Sequence, residues 1–360
     1  MSQHVLIAGG GIVGCLTAME LVARGYEVTI VERNKIASQT SGESSWAGAG
    51  VLFPLLPWMY SEPVNALTLA GASLYPEIAQ RLLDETGIDS DLLPSGFLLL
   101  PPFDVEMARQ WCDQHHFSAH PVSASSFGIQ SVTGDDALWL PSVSQIRPPY
   151  LMLALRAWLE KNHVTLLEHT ELIPLQETTR LDEWKTVSGE TLKADKFVVT
   201  SGAWSFELLK ETAQKLNIKP MRGQILLYQP EKNLEQIVYR DGFYMVPRKD
   251  GYLLAGSTLE DVGFDASTTA KVRDEISHKA EAIMPELKGM PIIKHWSGLR
   301  PGTPDNLPTI APHPHIENLY LNTGHFRYGL TMAPISAQIT ADLISGQQSE
   351  LDISAYAYPA

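Results

Sequence analysis

Cysteine is almost missing from this chain: Cys15 and Cys112 are the two in 360 residues. Two thiols cannot ligate an iron–sulfur cluster unaided or staple a disulfide scaffold, and they suit a reducing compartment. Basic charge is scarce as well. Lys and Arg total 27 against 41 Asp and Glu, a formal net charge of −14, so no surplus exists to offset nucleic-acid phosphates and no nucleic acid is expected as a partner. No apolar run approaches the roughly 18 residues of a transmembrane helix. The richest stretch, from Val51 to Trp58, is cut by Pro54 and Pro57. The opening Met1-Ser2-Gln3-His4 puts no basic region ahead of a long apolar one, so no signal peptide is expected. A cytoplasmic protein is the expectation, with peripheral membrane contact left open. Internal repeats and low-complexity linkers are also missing. Of the 11 histidines, His115-His116 read as an exposed helix end and His313-x-His315 as a proline-rich loop. Neither is set in a metal pattern, and no metal is expected.

What is present is an ordinary globular mix, 44% hydrophobic and 19% charged. At about 150 residues per domain the length points to two domains. Val5-Leu6-Ile7-Ala8 is a short apolar run ending in three glycines and reads as a buried strand. Ile12, Leu16, Met19, Val22 and Ala23 recur at helical spacing, Gly25 is the stop, and Val28-Thr29-Ile30-Val31 is a second strand. This is a β-α-β unit. A small-residue loop follows over 38–50. Helices are expected over 63–86, 105–115, 150–162, 205–216, 271–284 and 329–344. Strands are expected over 97–100, 165–167, 172–176, 184–187, 197–200, 224–228, 243–246, 252–255 and 319–321. Helices and strands alternate at both ends, and the middle is richer in strands.

Gly9-Gly10-Gly11-Ile12-Val13-Gly14 fits G-x-G-x-x-G between a strand and a helix. Gly9 permits the tight turn, Gly11 lets a pyrophosphate approach the backbone, and Gly14 lets helix and strand pack closely. The helix N-terminus offers unpaired N–H groups and positive charge, near Ile12 and Val13. Glu32 ends the second strand, with Arg33 beside it, where a carboxylate accepts hydrogen bonds from a ribose diol. An acid there repels a 2′-phosphate and disfavours NADP.

Two further segments discriminate FAD from NAD. In the loop, Ser41, Ser44 and Ser45 offer hydroxyls to phosphate, while Ala47, Gly48 and Gly50 let the backbone lie against a flat ring. Late in the chain, Gly324-His325-Phe326-Arg327-Tyr328-Gly329-Leu330-Thr331 opens the last helix. Its positive end suits a reduced flavin, which is negative around N1 and O2. A nicotinamide needs no such feature.

With these blocks, and with Ser201-Gly202-Ala203-Trp204-Ser205, Tyr244-Met245-Val246-Pro247-Arg248 and Gly298-Leu299-Arg300-Pro301-Gly302-Thr303, the chain resembles the glycine oxidases of thiamine-pathway type. These belong to the D-amino-acid oxidase family of FAD-dependent amine oxidoreductases. The resemblance implies an α/β fold: a discontinuous Rossmann-like FAD-binding domain (1–85, 145–218 and 299–360) interleaved with an α+β substrate-binding domain (86–144 and 219–298) on a mostly antiparallel sheet. It implies that Arg300 binds the substrate carboxylate, a bidentate pairing the guanidinium geometry favours; the alternative is a salt bridge to an acid at the domain interface. Tyr244 is implied to add a hydrogen bond to the carboxylate, and Arg327 to lie near flavin and substrate. Leu172 is implied to hold adenine through its backbone. Ser201 and Gly202 leave room for the cofactor, and Trp204 is either core or cofactor contact. Gly242 stands where some glycine oxidases carry a histidine, which implies a larger or softer pocket.

The chemistry implied is hydride transfer from the α-carbon of an unprotonated amine to flavin N5. Hydrolysis of the imine then releases an oxo acid (glyoxylate from glycine) and ammonia, and oxygen yields hydrogen peroxide. The flavin is expected to be non-covalent, since neither cysteine is near the late segments. Two alternatives stand beside this: a D-amino-acid dehydrogenase passing electrons to a quinone, and an FAD-holding subunit of a hetero-oligomer. Homo-oligomerisation is left open.

Overall fold

The computed structural model describes residues 2–40, 42–129 and 137–359. Its helices are α1 (Ile12–Ala23), α2 (Ser44–Ala47), α3 (Glu62–Thr86), α4 (Val105–Gln114), α5 (Pro148–Lys161), α6 (Ser205–Leu209), α7 (Ala270–Ile283) and α8 (Gly329–Ser345). None is long and apolar enough to cross a membrane.

Two large sheets organise the chain. The first has six strands in the order Thr309–Pro312, Leu319–Thr323, Lys196–Val199, His4–Ala8, Glu27–Val31, Thr165–Leu167. Every neighbour is parallel except the first pair. Alternation along the strands divides two cores. Val5 and Ile7 face one, with α1, α5 and α8. Leu6 and Ala8 face the other, with Trp184, Phe197 and Val199. In register, Ala8 lies between Val31 and Val199. The carboxyl ends of the three central strands therefore open at one level, the place where open α/β sheets bind ligands.

The second sheet has eight strands in the order Lys294–Gly302, Lys219–Tyr228, Leu253–Gly256, Phe243–Pro247, Ile237–Arg240, Phe97–Leu99, Ala137–Leu140, His120–Val122. The pair Ile237–Arg240 and Phe97–Leu99 is parallel, and the other pairs are antiparallel. Phe243 and Met245 face α7, whereas Tyr244, Val246 and Trp296 face the opposite core with Trp46 and Phe53. The same parity places Trp296, Gly298 and Arg300 on one side of their strand.

Several expectations are corrected. Residues 172–176 form no strand: Pro174 interrupts them, and Leu172 makes a single bridge to Thr186. The helix over 205–216 stops at Leu209, where the Thr212 and Ala213 N–H groups both turn back to the Leu209 carbonyl. Leu209, Ala213 and Leu216 still reach the same core, so turns satisfy the apolar spacing that read as helix. The loop over 38–50 contains the one-turn α2. Strands at Ile237–Arg240, Ala137–Leu140, His120–Val122, Thr191–Lys193, Thr309–Pro312 and Lys294–Gly302 were not foreseen. The last is concealed by Pro301, which an edge strand tolerates. It also runs unbroken through residue 299, where the FAD-binding and substrate-binding portions were expected to divide.

Candidate cofactor and substrate site

A cavity of about 320 Å³ runs from the carboxyl edge of the first sheet to Arg300 and Arg327. At one end the glycine loop builds its floor. Gly9 has φ +115°, and a Cβ there would lie 2.8 Å from the Thr200 carbonyl. A Cβ on Gly14 would fall 2.0 Å from the Gly9 carbonyl, so strand and α1 touch backbone to backbone. Gly14 itself does not line the cavity; Gly9, Gly11, Ile12 and Val13 do. Ser45 Oγ accepts the Ile12 N–H at 3.0 Å, which leaves its own O–H to donate. Ser44, Ser45 and Gly48 line the cavity, and Ser41 lies outside the described residues.

Glu32 is held by two main-chain donors. Gly10 N–H reaches Oε2 at 2.8 Å and Asn34 N–H reaches Oε1 at 2.9 Å. Each carboxylate oxygen keeps a lone pair for a hydroxyl donor. Arg33 lies over the Trp204 ring at 3.6 Å, and both line the cavity with Ser201 and Gly202. Leu172 lines it too. The flanking bonds, Ile173 N–H to Lys185 O and Val187 N–H to Glu171 O, turn the Leu172 main-chain groups away from the strand Glu183–Lys185. Glu43 also faces the cavity. Burial, then the charge of Glu32, pushes its carboxyl up to about 7 against the hydrogen bond from Asn34.

The far end is set by the entry to α8. Gly324 has φ +85° and Phe326 has φ +47°; a bulky residue in that region marks a strained turn. No side chain caps α8, so its first N–H groups face the cavity beside Gly329 and Leu330. His325 is buried, touches Ser336 Oγ through Nε2 at 3.0 Å, and is pushed down by burial to about 3, so its imidazole is neutral. Pro334 lies inside α8 and has no N–H for the Leu330 carbonyl. Tyr75 of α3 supplies the missing donor, its OH reaching Leu330 O at 2.5 Å.

Arg300 has no carboxylate partner among the described residues, contrary to the interface salt bridge held open above. Its guanidinium donates to Ser257 Oγ at 2.8 Å and Thr258 O at 3.1 Å. Space for it comes from Gly223 on the neighbouring strand, where a Cβ would sit 2.1 Å from Nη1. Burial lowers its pKa and the facing Tyr244 opposes that shift; the group stays cationic. Arg327 is exposed at the cavity, with its main-chain N–H donated to Asn306 Oδ1 at 3.3 Å, and it too has no acid partner among the described residues.

Other expected site residues stand apart from the cavity wall. Ala47 is buried against Gly298, and its carbonyl accepts Trp296 Nε1–H at 3.0 Å. Gly50 is required because Ile146 O would lie 1.9 Å from a Cβ. The Tyr328 hydroxyl accepts the Leu55 N–H at 3.3 Å and its ring packs on Tyr60. Thr331 donates to Val51 O at 3.1 Å. Gly242, where a histidine was looked for, makes a two-residue hairpin turn with Asp241, at φ +77° and +44°, and does not line the cavity. Sequence reasoning missed Ser257, Thr258, Gly223 and Tyr75. A glycine inside a strand, next to Arg222, was the one signal for Gly223. Both cysteines are buried and lie outside the cavity wall.

These features fit a dinucleotide with a flat anionic ring. Two helix N-termini reach the same cavity, glycines remove the side chains that would fill it, and Leu172 presents an unbonded peptide edge. FAD fits this donor set.

The profile of a family described as "FAD dependent oxidoreductase" matches residues 4–343. A glycine oxidase of Pseudomonas aeruginosa is 38% identical, over 99% of each chain. A glycine oxidase of Pseudomonas putida is 37% identical over 99% of this chain and 98% of its own. The crystal structure of glycine oxidase from Geobacillus kaustophilus superposes with a TM-score of 0.88 at 26% identity, over 99% of both chains.

Proposed function

We infer the reaction from one premise: the chain belongs to the FAD dependent oxidoreductase family. It is an FAD-dependent amine oxidoreductase, and glycine and small amines bearing a carboxylate are its proposed substrates. One observation carries the substrate class. Arg300 is a half-buried guanidinium with two neutral oxygen partners and no acid among the described residues, so its charge awaits an anion.

When bound, FAD supplies the two-electron acceptor for the α-carbon. Glu32, Ser45, Leu172 and the N-terminus of α1 would hold its dinucleotide part, and the N-terminus of α8 its ring. Arg300 clamps the carboxylate and Tyr244 faces the same fork, which fixes the α-carbon in one orientation. Arg300 and Arg327 together disfavour an ammonium, so the amine is held in its unprotonated form. The uncapped N–H groups of α8 and the Arg327 guanidinium stabilise negative charge arising at that end. With oxygen as acceptor, glycine, oxygen and water give glyoxylate, ammonia and hydrogen peroxide.

An amine panel on the purified yellow protein tests this. Glycine should bleach the flavin without oxygen, and peroxide should form in step with oxygen uptake. Bleaching with turnover seen only with quinones or artificial acceptors would establish a dehydrogenase instead. A purified chain that no amine reduces would sink the reading.

A further inference from the structure

Both oxygens that hold Arg300 come from one irregular segment, residues 257–269, between the strand Leu253–Gly256 and α7. Up to Gly256 this segment continues a regular pairing, with Ile225 opposite Gly256. Three residues on, regular pairing would set Arg222 opposite residue 259, yet Arg222 bridges Glu260. One extra residue has been inserted, so Ser257 and Thr258 sit on a β-bulge. Bulges re-aim side chains beside functional sites, and this one aims Ser257 Oγ and Thr258 O at Arg300.

The bulge is fastened by Arg222, which is buried. Its main chain exchanges two bonds with Glu260, each 2.9 Å. Its guanidinium donates to Glu260 Oε2 at 2.8 Å, Asp265 Oδ2 at 2.7 Å and Ser267 O at 3.0 Å. Glu260 Oε1 in turn accepts Thr258 Oγ1–H at 2.6 Å and Gln224 Nε2–H at 2.9 Å. An unbroken run of bonds thus leads from Arg222 through Glu260 and Thr258 to Arg300. The far part of the segment stacks Phe264 on Trp204, with ring centroids 5.4 Å apart, at the cavity wall.

We propose that Arg222 is a positioning residue for substrate binding: with Glu260 it clamps the bulge that orients the Arg300 fork toward the substrate carboxylate. This rests on the oxidase reading above. Arg222 touches no reacting atom; it decides how well a carboxylate is received, not how fast the bound amine is oxidised.

The test compares wild-type holoenzyme with Arg222→Met, Arg222→Lys and Glu260→Gln. Glycolate, which has the carboxylate without the amine, is titrated by perturbation of flavin absorbance, and kcat and KM are measured with glycine. For Arg222→Met and Glu260→Gln, the glycolate Kd and the glycine KM should each rise about tenfold with kcat within about twofold. Arg222→Lys should recover most of the loss. Chymotrypsin should cut faster after Phe264 in both disrupted variants, FAD-free or loaded. Unchanged glycolate Kd and unchanged cleavage overturn the proposal, as does a fall in kcat equal to that in kcat/KM. Should Arg222→Met fail to fold, the near-isosteric Glu260→Gln decides alone. Wild-type protein that neither binds glycolate nor turns over glycine counts against the oxidase reading, while the cleavage rates still judge the clamp.

Discussion

At the scale of single residues, charge without a counterion is the informative feature. Truncating Arg300 to Met should weaken carboxylate substrates by about 2–5 kcal/mol, the cost of removing one partner from a desolvated charge pair, with FAD retained. A KM for glycine within a factor of two of wild type would refute the role. Glu43 carries the opposite message. Its carboxyl is raised from 4.5 to about 7 in the folded protein. The neutral form is therefore favoured by folding, and the stability it contributes is present below 4.5 and lost as pH rises through about 7. Because Glu43 faces the cavity, its ionisation also opposes an anionic pyrophosphate. FAD affinity should thus fall between pH 6 and 8, and Glu43→Gln should flatten that slope; an equal slope in the variant excludes Glu43 as its source. The carboxylate of Glu32 and the glycines around it were legible from spacing alone. Ser257 and Thr258 were not, because they lie 43 and 42 positions from Arg300 and no local pattern marks an acceptor for a distant guanidinium.

Among the elements, α3 and α8 form the seam that presents the uncapped start of α8 to the cavity. Gly71 brings the helices so close that a Cβ would lie 2.1 Å from Thr331 O. Tyr75 closes the gap left by Pro334. Tyr75→Phe leaves the Leu330 carbonyl buried and unbonded, and should cost about 1–3 kcal/mol in denaturant unfolding; a variant as stable as wild type would show that water has taken the place of the hydroxyl. The continuous apolar run that reads as a buried strand in 5–8 serves two cores at once, Val5 and Ile7 in one and Leu6 and Ala8 in the other, which is why that element was legible. The edge strand Lys294–Gly302 was not, since Pro301 argues against a strand until its edge position is known.

Across the whole molecule, a buried arginine at the end of one strand of the second sheet ties that sheet to segments far away in the chain, with no acid in direct contact among the described residues. Arg248 donates to Ala49 O at 2.7 Å and to Gln145 Oε1 at 2.7 Å, and burial pushes its pKa down to about 10. Gln145 itself bridges both Val51 and Leu93. Two distant segments, at Ala49 and at Gln145–Ile146, thus meet on one guanidinium. Arg248→Met should destabilise the protein by a few kcal/mol, about 1–3 for each buried acceptor left unpaired, and should broaden the unfolding transition as the second sheet uncouples from those segments. An unchanged midpoint and slope would remove that role. The discontinuous layout was implied by resemblance; the joint itself lies in contacts between positions about 100 and 199 residues apart, beyond the reach of local pattern.

The lone charge on Arg300 has a practical side. If Arg300 receives the substrate carboxylate as proposed, it would receive a buffer carboxylate too. Acetate and formate should then compete for the fork and raise the apparent KM linearly with their concentration, which a titration of either anion at fixed pH checks.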